Sequence, residues 1–185
     1  MQQLLLTYLK DPNPGTFLVL RSAHLAQVGL NPYSGSLDPV SKLLAGGAFE
    51  EASRLISRHL IPNYLLSAGT HLELAYAYAE MGHKEKANFE RYLATQLVLG
   101  IEMTGKGTER MPFLVTRTSD EYDYLIFRKQ TPLAQTIVEK RGRKLDRIET
   151  RGGGVFWFDI TEIHEILENA SRRRAQAPVQ QGKVA

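Results

Sequence analysis

The densest run of side chains able to do acid–base chemistry is Asp120-Glu121-Tyr122-Asp123. Two carboxyls held close together can divide the roles of acid and base, or can bind a cation. If the run is the start of a strand after a Thr118-Ser119-Asp120-Glu121 hairpin turn, Glu121 and Asp123 share one face and Asp120 does not. Turn chemistry alone accounts for Asp120, and a solvated turn before an edge strand is the plainer reading.

A second segment, Gly100-Ile101-Glu102-Met103-Thr104-Gly105-Lys106, matches the first seven positions of a phosphate-binding loop. The eighth position is Gly107, which has no hydroxyl for magnesium, and the order of elements is reversed, with a helix before and a strand after. A helix end and a link between two halves explain the same residues. The five histidines, His24, His59, His71, His83 and His164, include no pair spaced to put two imidazoles on one helical face. His164-Glu165 opens like a metalloprotease helix, but Glu168 stands where the second histidine belongs. No serine lies in a strand–turn–helix context. Cysteine is absent, which removes disulfides and thiolate metal sites and fits a reducing compartment. No catalytic residue, metal or cofactor is therefore expected.

Lys140-Arg141-Gly142-Arg143-Lys144 could touch phosphates, with Trp157 or Tyr124 as a stacking platform. The competing reading is a solvated hairpin tip whose cations guard a sheet edge. Net charge is only +3, divided as +5 from Arg128 onward and −2 before it. That permits an acidic partner but falls short of a nucleic-acid-binding footprint, so nucleic acid is not the expected partner.

The elements that would position these groups fall into two rhythms. Up to residue 102 the apolar beat is helical. Asp11-Pro12-Asn13-Pro14 and Asp38-Pro39 are helix starts, Gly29 with Asn31-Pro32 is a stop, and Tyr33 to Leu37 is a loop. One helix opens at Ala48-Phe49-Glu50-Glu51-Ala52 and ends at Pro62, a second ends at Gly82, and a third runs through Ile101. Ala52 and Ala87 are 35 positions apart, close to the tetratricopeptide period of about 34. After Thr104 the beat becomes two-step. Strands are expected at Pro112–Thr118, Tyr122–Phe127, Gln135–Lys140, Lys144–Thr150 and Val155–Ile160, in an antiparallel meander, with Thr161 capping a final helix.

These features, taken in order, resemble a bacterial domain-of-unknown-function family that joins tetratricopeptide-like helices to a small sheet. The resemblance covers roughly residues 14 to 165 and rests on several segments. In the helical half they are Asn31-Pro32-Tyr33, Gly47-Ala48-Phe49-Glu50-Glu51-Ala52 and Ala79-Glu80-Met81-Gly82. Further along they are Thr104-Gly105-Lys106-Gly107, Asp120-Glu121-Tyr122, Leu145-Asp146 and Val155-Phe156-Trp157-Phe158-Asp159-Ile160. The family implies an architecture and no established activity. Many members look exported, whereas this N-terminus shows no leader. The family's glycine loop usually carries an acidic residue where this chain has Lys106, which argues against an anionic role there.

The expected fold is thus α+β: tetratricopeptide-like helical hairpins over residues 1–102, packed on an antiparallel β-meander with a final helix over 103–170, and a disordered basic tail over 171–185. Trp157, Phe156 or Phe158, Phe127, Leu125 and Val115 are the expected sheet core, and Leu72, Ala75, Tyr76, Phe89 and Leu93 the helical core. Without a leader or a membrane-length apolar run, the expected location is the cytoplasm. The first functional expectation is a non-enzymatic module that binds another protein or a peptide. The second is an enzyme or small-ligand-binding protein with Lys106, Asp120, Glu121 and Asp159 converging at the junction of the halves. The third is weak nucleic-acid association through Lys140, Arg141, Arg143 and Lys144.

Overall fold

Each half of the chain has apolar residues the other can cover, and a main core shared by both results, beside a smaller cluster of Val40, Ile56, Leu60, Tyr64 and Leu74 within the helical half. The computed structural model describes residues 1–32 and 37–176; the expected Tyr33–Leu37 loop therefore falls largely outside the described residues, as does the tail beyond 176. Helices α1 (Gln2–Lys10) and α2 (Pro14–Leu25) lead in. Asn13 caps α2, accepting hydrogen bonds from the backbone of Gly15 and Thr16, while Pro14 occupies the first turn. Next come α3 (Asp38–Ala45), α4 (Phe49–Leu55), a π-helical turn (Ile56–Leu60) and α5 (Ile61–Tyr64). Pro62 does not stop this helix: the Ile61 N–H donates to the Ile56 carbonyl, five residues back, and the wider turn carries the chain through the proline. Helices α6 (Ala68–Glu80) and α7 (Lys84–Met103) form a tight pair joined at Gly82, whose φ of 77° suits only glycine without strain.

The sheet holds four strands in the order β1-β4-β3-β2. Strands β2 (Pro132–Lys140), β3 (Arg143–Thr150) and β4 (Val155–Asp159) run antiparallel in succession. The α+β expectation holds, with a four-stranded sheet and a final helix, α9 (Thr161–Gln176). Two details differ. The strand expected at Pro112–Thr118 shrinks to β1 (Phe113–Leu114), which pairs parallel with β4. The strand expected at Tyr122–Phe127 is a helix, α8 (Ser119–Phe127). Asp120 decides this locally: its Oδ2 accepts from the Thr116 backbone N–H and hydroxyl at 2.9 and 2.7 Å and from the Arg117 N–H at 3.2 Å, folding the chain into a helical start. The tail expected from 171 is still helical to Gln176.

A continuous core runs through both halves. Tyr8, Phe17 and Leu20 from the first helices, Leu93, Leu97 and Ile101 from α7, Tyr124 and Leu125 from α8, and Ile148, Phe158, Ile160 and Ile163 from the sheet side all belong to it. Gly100 lets α2 approach α7, because a Cβ there would collide with the Phe17 ring. The expected core residues Leu125, Val115, Phe158, Ala75 and Leu93 are buried, but Leu72, Tyr76, Phe89 and Phe127 are exposed. Helix α6 buries Leu74 together with smaller and polar residues instead, Ala68, Thr70, His71, Ala75 and Ala77. Among the described residues no helix is long and apolar enough to cross a membrane.

Candidate functional site

The carboxyls singled out in the sequence are buried at one end of a helix, not on a hairpin, and each turns to a different partner. Helix α8 lies between the α6–α7 pair and the sheet, and its first turn is buried: Asp120 is 1% and Glu121 0% exposed. The helical period sends Glu121 toward β3, where it meets Asp146, while Asp123 turns to α6 and accepts the Gly69 N–H at 2.8 Å. Gln135 on β2 closes the group. Its amide nitrogen donates to Asp146 Oδ2 at 2.8 Å and reaches Glu121 Oε2 at 3.4 Å, and its carbonyl accepts the Tyr122 hydroxyl.

Burial, followed by the charge of Asp146, pushes Glu121 up to about 10. Burial also raises Asp146, opposed by the hydrogen bonds from Gln135 and Glu121. Gln135 donates more closely to Asp146, so Asp146 is the carboxylate and Glu121 holds the proton between them. Among the described residues Glu121 Oε1 and Asp146 Oδ1 are buried without a fixed hydrogen-bond partner, and a proton on Glu121 is the donor available to them. Asp123 rises to about 7 through burial and the neighbouring Asp120. Arg117 is the nearby cation, yet its guanidinium is committed elsewhere. It donates to the Asn63 carbonyl at 3.0 Å and the Asn31 carbonyl at 3.3 Å, and it lies 3.5 Å from the centre of the Tyr64 ring. Beside the acid pair runs a groove of about 450 Å³ lined by Thr118, Tyr122, Gln135, Ile137, Asp146 and Ile160.

The structure does not bring the four expected junction residues together. Lys106 is exposed on the loop after α7, where its backbone N–H donates to the Met111 carbonyl. That loop is structural: the Gly107 carbonyl accepts the Trp157 N–H, and the Thr104 hydroxyl accepts the Leu114 N–H at 2.8 Å. Asp159 stands just ahead of α9 and accepts the Thr161 backbone N–H at 3.0 Å and hydroxyl at 2.6 Å, so Thr161, expected as the cap, is the first residue of the helix. The basic hairpin is largely matched by acids. Lys140 meets Glu109 at 2.7 Å, Lys144 meets Glu168 at 3.0 Å, and Arg143 faces Asp159 at 3.7 Å, while exposed Arg141 sits in the turn at φ 53°. Among the described residues no three His, Asp or Glu side chains are placed to share a metal ion.

Sequence reading missed Gln135, Asp146 and Arg117 as members of the cluster. For Asp146 the signal was faint, since on its face of β3 it stands with Lys144, Ile148 and Thr150, of which only Ile148 is apolar. Arg117 and Gln135 had none, because their partners, Asn31, Asn63 and Tyr64 for the one and Glu121, Tyr122 and Asp146 for the other, are distant in the chain. What the group can do chemically is hold one proton between two carboxyls, tightly and away from water. Comparison with models of protein families, with curated proteins and with solved structures gave no match.

Proposed function

We propose that this chain is a non-enzymatic cytoplasmic module that binds another protein or a peptide through an apolar seam between α6 and α8. The observation that carries the reading is the exposure of Leu72, Tyr76 and Phe127, at 50, 46 and 41%. Gly69, Leu72 and Tyr76 lie on one face of α6, and Asp123 and Phe127 on one face of α8. The Gly69–Asp123 hydrogen bond joins those two faces. Phe49 extends the apolar surface, packing edge-on against Tyr76 with ring centres 5.7 Å apart. Leu72 and Tyr76, one turn apart on α6 with Phe49 beside Tyr76, are exposed apolar side chains of the kind that mark an interaction site. The tetratricopeptide likeness and the kinship with the uncharacterised bacterial family belong to this reading and rest on residue order, supported by the α6–α7 pair.

The seam differs from the concave groove such helical pairs commonly offer, since α8 packs against both α6 and α7. An enzymatic reading gains a converging carboxyl pair, but each acid of the pair is the other's partner. The test is capture from native lysate with wild type and with Leu72→Glu/Tyr76→Glu. A discrete partner held by wild type and lost at least tenfold in the variant supports the reading. Equal recovery by both overturns it.

A further inference from the structure

Strand β2 is at the end of the sheet, and among the described residues no strand lies beside its outer edge. It is nine residues long, and Leu133 to Val138 are uncharged. Natural sheets protect such edges with charge, proline, bulges or a covering element. Here Pro132 and a bulge protect one end and Lys140 the other, leaving Ala134–Lys140 as a regular open ladder. The outward groups follow from the turn. Arg141 and Gly142, with φ of 53° and 75°, form a two-residue hairpin closed by the Lys140–Arg143 pair. Lys140, Val138 and Thr136 therefore exchange hydrogen bonds with β3, and Glu139, Ile137 and Gln135 turn their N–H and C=O groups outward.

We propose that a second copy of this chain fills that edge, with β2 pairing antiparallel to β2 across a two-fold axis at Ile137. That register uses the whole regular stretch. Ile137 faces its counterpart, Gln135 faces Glu139, Thr136 faces Val138 and Ala134 faces Lys140, with no like charges opposed. Centring on Glu139 sets two carboxylates against each other, and centring on Gln135 runs the ladder into the bulge and Pro132. The surface around the axis is apolar: Tyr122, Ile126, Leu133 and Ile137 are 39 to 68% exposed. At about 200 Å² for a whole large side chain, they offer roughly 450 Å² per copy. Two copies then bury about 900 Å² of it besides the strand edges, at the low end for a specific interface, so the dimer is a weak one. The sheet would become eight-stranded and continuous.

The register can be read directly, because the chain has no cysteine of its own. Facing Cα atoms in a hydrogen-bonded antiparallel pair are about 5.5 Å apart, within disulfide reach. Ile137→Cys should cross-link into dimers under mild oxidation. Thr136→Cys alone should not, being offset from its own copy, but a mixture of Thr136→Cys with Val138→Cys should. Sedimentation velocity of wild type should pass from monomer near 1 μM toward dimer at several hundred μM, and Ile137→Lys should remain monomeric. A monomer at every concentration, or equal cross-linking by Thr136→Cys alone, overturns the proposal and leaves the edge to a strand from another protein.

Discussion

Replacing Glu121 by glutamine removes one ionisation from the buried acid pair while keeping its shape. In the unfolded chain Glu121 loses its proton near its ordinary value of 4.5; in the folded chain it keeps it until about 10. Between those limits the folded state binds one more proton, so stability falls as pH rises. The contribution is fully present below 4.5 and is lost progressively toward 10. At pH 7 the interval already crossed is 2.5 units, which at 1.36 kcal/mol per unit amounts to roughly 3 kcal/mol of lost stability. The figure depends only on the folded group titrating above 7. Glutamine avoids that loss and donates to Asp146 as the carboxyl did, but strands its second N–H, at a cost of about 1–3 kcal/mol. The net change at pH 7 is therefore small. The pH dependence is the sharper readout. Urea unfolding of both proteins from pH 5 to 9 should show the Glu121→Gln stability curve rising relative to wild type by about 1.4 kcal/mol per pH unit. Parallel curves would refute a proton held on Glu121.

His24 works in the opposite sense. Burial, and then the charge of Arg117, depresses it from 6.5 to about 4, and its Nδ1 accepts the Gln27 amide at 2.7 Å. Its contribution is complete above 6.5 and is lost as pH falls through about 4, up to roughly 3 kcal/mol. His24→Gln should flatten that acid limb in unfolding experiments, and an unchanged limb would count against a neutral buried ring. Gly100→Ala places a methyl group into the Phe17 ring and should cost about 1–3 kcal/mol, seen as a lower denaturant midpoint with an unchanged slope.

The helical half was readable from spacing because caps and stops are local. Asn13-Pro14 and Gly82 do in the structure what their chemistry implies. Helix α8 was not, since Tyr122-Asp123-Tyr124-Leu125-Ile126-Phe127 alternates well enough to pass for a strand. The winning interaction is Asp120 with Thr116 and Arg117, a local bond whose strength depends on burial that only the tertiary fold supplies. The same limit hid the α6 face. Helix α6 is apolar nearly all round, so its period could not say whether Leu72 and Tyr76 or Ala75 and Ala77 turn inward. The carboxyl run was visible and its partners were not: Gln135 and Asp146 reach it across the sheet, 14 and 25 positions away from Glu121 in the chain.

The division between a structural acid pair and a working surface can be settled in one comparison. A partner recovered with wild type is titrated by calorimetry against wild type, Glu121→Gln and Leu72→Glu/Tyr76→Glu, each first shown to unfold cooperatively. Affinity should be unchanged within twofold for Glu121→Gln and reduced at least tenfold for the seam variant. The reverse pattern, with the seam variant binding normally and Glu121→Gln losing the partner, would contradict the account and put function in the carboxyls.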